Sequence, residues 1–253
     1  MEILGIIPAR YASTRFPGKP LTLINGKTMI QRVYEQASSS SLTEVVVATD
    51  DQRILQHVHS FGGKAVMTAE HHQSGTDRCF EAYQLQDQPF DYVINIQGDE
   101  PFIRPEQIDL VASCFHNPQT QLATLIKKII SPEELFNVNA PKVVVNRAGE
   151  ALYFSRQPIP YCRNVPNDIW HKQHTYYKHI GIYGYRTDIL EQITQLPPSG
   201  LEMAESLEQL RWLENGFRIT TAITEFETIG IDTPEDLEKI REFGNERDGE
   251  FKS

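Results

Sequence analysis

Four short apolar runs, each soon followed by an amphipathic helical pattern, constrain this chain more than any other feature of its sequence. They are Glu2 to Pro8, Glu44 to Thr49, Lys64 to Thr68 and Asp91 to Ile96. Apolarity sustained over so few residues marks strands covered on both faces. Alternation with helices calls for a mostly parallel sheet with right-handed crossovers and helices on both sides. Between the first two runs, Leu21 to Ile24 and the Asn25-Gly26 pair predict a short extended excursion with a turn, and Met29, Ile30, Val33, Tyr34 and Ala37 then recur at helical spacing. Ile54, Leu55, Val58 and Phe61 predict a second helix, closed by Gly62-Gly63. A third is expected from Gly75 or Thr76, after the polar loop HHQSG.

From Pro141 the texture changes. PKVVVN, ALYFSR and YKHIGIYGYR read as strands with no helix between them, which predicts an antiparallel subsheet or flap, with RNVPNDIWHKQHT as a mobile loop. Helical texture resumes with Met203, Leu207 and Leu210 on one apolar stripe, followed by a strand near Phe217 to Ile223. In IDTPEDLEKI, Thr233 is a good N-cap, Pro234 suits the first helical position and Asp236 completes a capping box. The charged, glycine-containing tail, residues 247–253 included, is expected to fray. There is no internal repeat.

Composition sets the broad class. A chain of 253 residues, 40% hydrophobic and 23% charged, is ordinarily globular. Its net charge of −10 argues against nucleic acid or an anionic membrane as partner, since both demand a basic face. Cys79, Cys114 and Cys162 are odd in number and widely spaced, which fits neither a disulfide framework nor a zinc knuckle and points to a reducing cytoplasm. The opening MEILGIIPAR lacks a cationic leader, and its apolar stretch is too short to cross a bilayer, so a soluble cytoplasmic protein is expected.

Against that acidic balance, Arg10, Arg15 and Lys19 stand out in IIPARYASTRFPGKPL, separated by small or turn-forming residues such as Ser13 and Gly18. Most arginines and lysines are solvated surface groups. Here they leave the carboxyl end of a first strand, where open α/β sheets place ligands, and polyphosphate is the natural guest. The loop matches neither the Walker A pattern nor GxGxxG. In NIQGDEP, an apolar strand ends on Gly98, Asp99 and Glu100. A carboxylate at that sheet edge suggests Mg²⁺, which uses one or two carboxylates plus substrate phosphates, although a turn carboxylate capping the helix after Pro105 is the plainer alternative. Asp232, just before the capped helix, supplies a second candidate carboxylate. QSGTDR, Gln73 to Arg78, combines a turn, hydroxyls and an arginine at a helix start, equally suited to ligand contact or to capping. Glu205, Glu208, Gln209 and Trp212 share one expected helical face, and His179 and Tyr183 share one face of a strand.

These motifs, with VATDD, KHIGIYGY and LEQLR, run in this order over nearly the whole chain and resemble the 3-deoxy-manno-octulosonate (Kdo) cytidylyltransferases, or CMP-Kdo synthetases. The resemblance implies an α/β, Rossmann-like nucleotidyltransferase with a mostly parallel central sheet flanked by helices and a smaller antiparallel dimerisation subsheet. It implies one domain over residues 1–246, with the antiparallel insertion at about 141–186, assembled as a homodimer. The implied reaction is Mg²⁺-dependent and converts CTP and Kdo to CMP-Kdo and pyrophosphate for lipopolysaccharide synthesis. Carried over residue by residue, Arg10, Lys19, Asp99 and Asp232 are catalytic, the two aspartates holding the metal. Ala9, Arg10, Ser13, Arg15, Lys19, Ser74, Gly75, Arg78 and Gln97 contact the nucleotide. Arg156, His179, Tyr185, Glu208 and Gln209 line the sugar-acid pocket. A cytidylyltransferase for 8-amino-Kdo or sialic acid remains an alternative at this point, as does a nucleotide-sensing protein without turnover. A metal-dependent glycosyltransferase has less need of three cations in the first loop.

Overall fold

A computed structural model describes residues 1–12, 16–228, 230, 231, 233 and 235–237. The chain divides into two compact units. The first takes Glu2–Pro89, Asn95–Pro105 and Thr228–Ser253; the second takes Met1, Phe90–Ile94 and Glu106–Glu227.

In the first unit the strand β1 (Ile3–Ala9) is interior along almost its whole length, as its unbroken apolar run requires. A hairpin, β2 (Leu23–Ile24) and β3 (Lys27–Thr28), turns through Asn25 and Gly26 at φ of 47° and 82°, the left-handed pair that an Asn-Gly turn supplies. Thr28 then caps α1 (Met29–Ser38), whose buried Met29, Ile30, Val33 and Ala37 form the expected stripe. The strand β4 (Glu44–Thr49) lies parallel to β1, with Ile6 opposite Val46. Asp51 caps α2 (Gln52–Ser60), and Gly62, at φ 82°, turns the chain into β5 (Ala65–Met67), parallel to β4. Ser74 caps α3 (Gly75–Gln84). Near the end of the described chain, Thr233 and Asp236 exchange the expected capping-box bonds: Thr233 N–H donates to Asp236 Oδ2 at 3.0 Å, and Asp236 N–H to Thr233 Oγ1 at 3.3 Å. Pro234 and the 247–253 tail lie outside the described residues.

The second unit begins in β6 (Tyr92–Asn95) and continues through α4 (Pro105–Ser113), β7 (Leu122–Lys128), α5 (Pro132–Phe136), β8 (Lys142–Val145) and β9 (Ala151–Ser155). There follow α6 (Trp170–Gln173), β10 (Tyr177–Arg186), α7 (Thr187–Thr194), α8 (Gly200–Glu205), α9 (Gln209–Glu214) and β11 (Ile219–Ile223). The three late strands are antiparallel as expected: β8 pairs with β9 and with the start of β10. They do not form a separate flap, however. The long β10 continues beside β7, with Tyr185 opposite Leu122, and β7 pairs in parallel with β11. The run LATLIKK that forms β7 is too short for periodicity to separate a strand from a buried helical turn, and it was not anticipated.

Two further expectations need correction. The segment RNVPNDIWHKQHT is not a simple loop, because Trp170 is 3% exposed, donates its Nε1–H to the Val165 carbonyl at 2.9 Å, and packs with Ile129, Leu135 and Tyr176. Met203, Leu207 and Leu210 do not form one stripe either. Ser206, at φ 51°, ends α8 in the left-handed region, which leaves Met203 68% exposed while Leu210 is fully buried in α9. Among the described residues no helix is long and apolar enough to cross a membrane, and Cys79, Cys114 and Cys162 form no disulfide. Trp170→Ala should cost about 3–5 kcal/mol of stability by opening a cavity, read as a lower urea midpoint; an unchanged midpoint would show that Trp170 does not anchor this segment.

Candidate functional site

The candidate nucleotide site is built within the first unit. Arg10 follows β1 directly, is exposed, and reaches the Gln73 carbonyl at 3.5 Å. Where the loop after Arg10 returns, Gly18 adopts φ 72° and donates its N–H to Tyr11 O at 2.9 Å. A side chain at Gly18 would meet the Tyr11 ring at 3.2 Å. The same ring carries the Arg53 guanidinium 3.3 Å from its centroid, a cation–π contact at the base of the loop. Arg53 is in turn gripped by both carboxylate oxygens of Asp51, at 2.6 and 2.9 Å, and this pairing holds the Asp51 carboxyl below its usual range.

Lys19 opens a short 3₁₀ turn just past Gly18. Its ammonium donates to Asp99 Oδ2 at 2.8 Å and to the Ile231 carbonyl at 2.9 Å. Asp99 arrives there because the segment after β6 runs beside β1, Ile96 N–H donating to Ile6 O at 2.9 Å. Gly98 is required in that segment. A Cβ on it would lie 2.8 Å from the Pro8 carbonyl oxygen, and neither backbone can give way cheaply.

These elements border a cleft of about 460 Å³ whose lining includes Ala9, Arg10, Lys19, Gly75, Arg78, Gln97 and Asp99. Of the residues expected at the nucleotide, only Ser74 is described and not among the lining. Its hydroxyl accepts from Asp77 N–H at 3.1 Å, so it caps α3, and Gly75 begins that helix with its partial positive charge. Arg78 is 1% exposed and donates to Thr68 Oγ1 at 2.5 Å and Asp50 Oδ2 at 2.7 Å, so its buried charge has a paired anion. Sequence reasoning missed Asp50 as that partner, although it stands in the VATDD motif. Ser13, Arg15 and Asp232 lie outside the described residues.

The donor chemistry suits a divalent cation. Two hard oxygens, Asp99 Oδ2 and Ile231 O, converge on one cationic atom, the Lys19 ammonium, which marks the point where positive charge is favoured. Among the described residues no group of three or more His, Cys, Asp or Glu side chains could hold a metal. A cation at Asp99 would therefore draw part of its shell from substrate phosphates, the usual arrangement for Mg²⁺.

The expected sugar-acid residues lie in the second unit, and three of them gather around Tyr183. The His179 ring lies 5.1 Å from that of Tyr183, tilted by 37°, with Phe154 edge-on to His179 at 5.4 Å. Tyr185 is fully buried, 6.2 Å from Tyr183 and 5.8 Å from Trp212. Burial chiefly, with the nearby Tyr185 and the negative charge of Glu208, pushes the Tyr183 hydroxyl well above its ordinary range. Among the described residues that hydroxyl has no hydrogen-bond partner. Tyr183 thus stands at the centre of this cluster although the resemblance did not name it, and its signal in the sequence was the strand face it shares with His179. Gln209 is 5% exposed at the start of α9. The Arg156 guanidinium donates to the backbone carbonyls of Glu205 at 2.6 Å and of Val138 and Ser206, both at 3.1 Å.

The cytidylyltransferase family profile matches residues 4–229. The 3-deoxy-manno-octulosonate cytidylyltransferase of Phocaeicola vulgatus is 60% identical over 253 residues, covering 99% of this chain and all of the relative. That of Cytophaga hutchinsonii is 64% identical over 242 residues, 95% of this chain and 96% of its own. The chain belongs to the cytidylyltransferase family. A solved structure described as CMP:2-keto-3-deoxy-manno-octonic acid synthetase complexed with CTP is 46% identical and superposes with a TM-score of 0.90 over 98% of this chain and 100% of its own.

Within this cytidylyltransferase, His179 carries a pH signature. Thr124 gives its one hydroxyl proton to Ile182 O at 2.7 Å, so its oxygen accepts from Nε2–H of a neutral imidazole at 2.9 Å. Burial lowers the His179 pKa from 6.5 to about 3. Because the folded value lies below the unfolded one, stability is intact above about pH 6.5 and falls as the pH drops toward 3. His179→Gln should remove about 2 kcal/mol of the stability lost between pH 7 and pH 5. Parallel pH–stability curves for the two proteins would refute the assignment.

Proposed function

We propose that the protein transfers CMP from CTP to the anomeric hydroxyl of Kdo, releasing pyrophosphate, as a step of lipopolysaccharide biosynthesis. One observation carries the reading: 46–64% identity, over nearly the whole chain, to proteins named for this activity, one of them described in complex with CTP and superposing with a TM-score of 0.90. The cleft of Arg10, Lys19 and Asp99 gives it a chemical basis.

In this reading the sugar hydroxyl attacks the α-phosphorus in line and pyrophosphate leaves. The protein's task is to place the two reactants and to balance the charge that gathers on phosphate oxygens. Arg10 and Lys19 supply that balance from one wall, and the N-terminus of α3 adds oriented N–H groups. Asp99 would hold Mg²⁺, with Asp232 as its expected companion; the bound ion supplies Lewis-acid charge to the phosphates. Neutral His179, with Tyr183, Glu208 and Gln209, would bind the hydroxyls of the sugar acid.

The reading includes a homodimer in the cytoplasm. Ile130, Phe136, Val138, Leu152 and Tyr161 expose large apolar side chains around the antiparallel strands, Ile130 to 76% and Tyr161 to 74%, and a second copy of the chain is the partner that would cover them. Light scattering should return twice the monomer mass; a monomer at micromolar concentration would remove the dimer from the reading. In the decisive assay, pyrophosphate release requires Mg²⁺, CTP and Kdo together. Asp99→Asn should lower kcat about 100-fold, by analogy with removal of one electrostatic group from a transition state, with little change in Tm. Release with CTP and only 8-amino-Kdo or sialic acid would change the acceptor. Release with no sugar acid would overturn the activity.

A further inference from the structure

We propose that Lys19 guards the metal position of the nucleotide-free enzyme, so that a divalent cation binds at Asp99 only together with the nucleotide. This rests on the reading of the cleft as a nucleotide and metal site. The Lys19 ammonium sits 2.8 Å from Asp99 Oδ2 and 2.9 Å from Ile231 O, the two hard oxygens that a cation would use. Both partners are sheltered, their side chains 15% and 33% exposed, so solvent screens the pair only in part. A divalent ion on the same carboxylate oxygen would meet the ammonium at close range. Like charges at such separation repel, so the two cations compete for one seat.

A lysine suits this duty. Its ammonium is a point charge on a flexible stem and can exchange one anion for another without matching a fixed fork. The turn it stands on is fixed, since Gly18 is packed against Tyr11 and Pro20 is buried. Phosphate oxygens entering the cleft offer the ammonium an alternative partner, and its departure from Asp99 opens the seat to the ion that travels with them. Metal and nucleotide then each strengthen the binding of the other by the same factor.

The test measures Mn²⁺ binding to the full chain without nucleotide, by the electron paramagnetic resonance signal of free Mn²⁺. Lys19→Met should bind Mn²⁺ about tenfold more tightly than the parent protein, the scale of losing one charge-assisted hydrogen bond. Lys19→Gln, which keeps a polar group for the buried carbonyl, should show the same gain if the methionine variant is poorly folded. Adding Asp99→Asn should abolish the gain, and Arg10→Met, which removes an equal charge from the same cleft, should stay within about twofold of the parent. Equal affinity in the parent and both Lys19 variants would overturn the proposal, as would an equal gain in Arg10→Met, which would reduce the effect to net charge. Pyrophosphate release separates the two claims. A parent protein that makes CMP-Kdo but gains no Mn²⁺ affinity on losing Lys19 overturns this inference alone. A gain in Mn²⁺ affinity in a protein inactive on every sugar acid supports the guard and overturns the activity.

Discussion

The closeness of Gly98 to the Pro8 carbonyl is the constraint on which the cleft depends. A single methyl there would stand 2.8 Å from backbone oxygen, so the segment after β6 could not lie against the end of β1. Ile6, four residues before Arg10, is wholly buried and accepts a hydrogen bond from Ile96, three residues before Asp99. The apolar interior of β1 thus fixes the positions of a cation and a carboxylate that line the cleft. Burial sets the frame, and the reactive groups hang from its ends at the carboxyl edge of the strands.

Electrostatics divides the charges of this acidic chain into those already balanced inside the fold and those facing a ligand. Arg78 is neutralised by Asp50, and Lys178 pairs with Glu134 and Glu227, the latter also held by Lys127 at 3.0 Å. Breaking a buried pair such as Arg78–Asp50, 1% and 12% exposed, would leave an uncompensated charge in low dielectric. The Lys19–Asp99 pair differs because both of its members line the cleft and are more exposed, at 15% and 33%, whereas of the Arg78–Asp50 pair only Arg78 lines it. With a net charge of −10, a triphosphate approaches only where cations gather locally, and the first loop and the N-terminus of α3 are such a place.

Most of the first unit was legible from sequence because each element there signals itself twice, through its apolar period and through its cap. Thr28, Asp51 and Ser74 all stand where side-chain chemistry predicts a helix start. The cleft residues were legible for a related reason: cations and a carboxylate stood at strand ends, where a fold of this class exposes them. The second unit was harder. β7 carries no distinguishing period, and β10 looked like part of a flap because its pairing with β7 spans some fifty residues of sequence, a relation local pattern cannot express. The left-handed Ser206 was invisible for the opposite reason: serine rarely adopts that conformation, so nothing in LEMAESLEQL announced a break.

Arg156 shows how far residue type can carry such a reading. An arginine near an expected carboxylate site invites assignment to the carboxylate, yet the end of a helix is also an anion in effect, with carbonyl oxygens that lack intrahelical donors. The Arg156 guanidinium meets the Glu205 and Ser206 carbonyls at the end of α8, and the Glu205 carboxylate answers by accepting from Ser155 Oγ at 2.7 Å and Arg156 N–H at 2.9 Å. The end of β9 and the end of α8 are therefore locked to each other in both directions. α9 starts three residues beyond that lock, with Glu208 at its cap position and Gln209 first in the helix. Arg156 thus bears on Glu208 and Gln209, two of the residues expected at the sugar acid, by fixing where α9 begins, and Glu208 adds its negative charge beside Tyr183 from that fixed start.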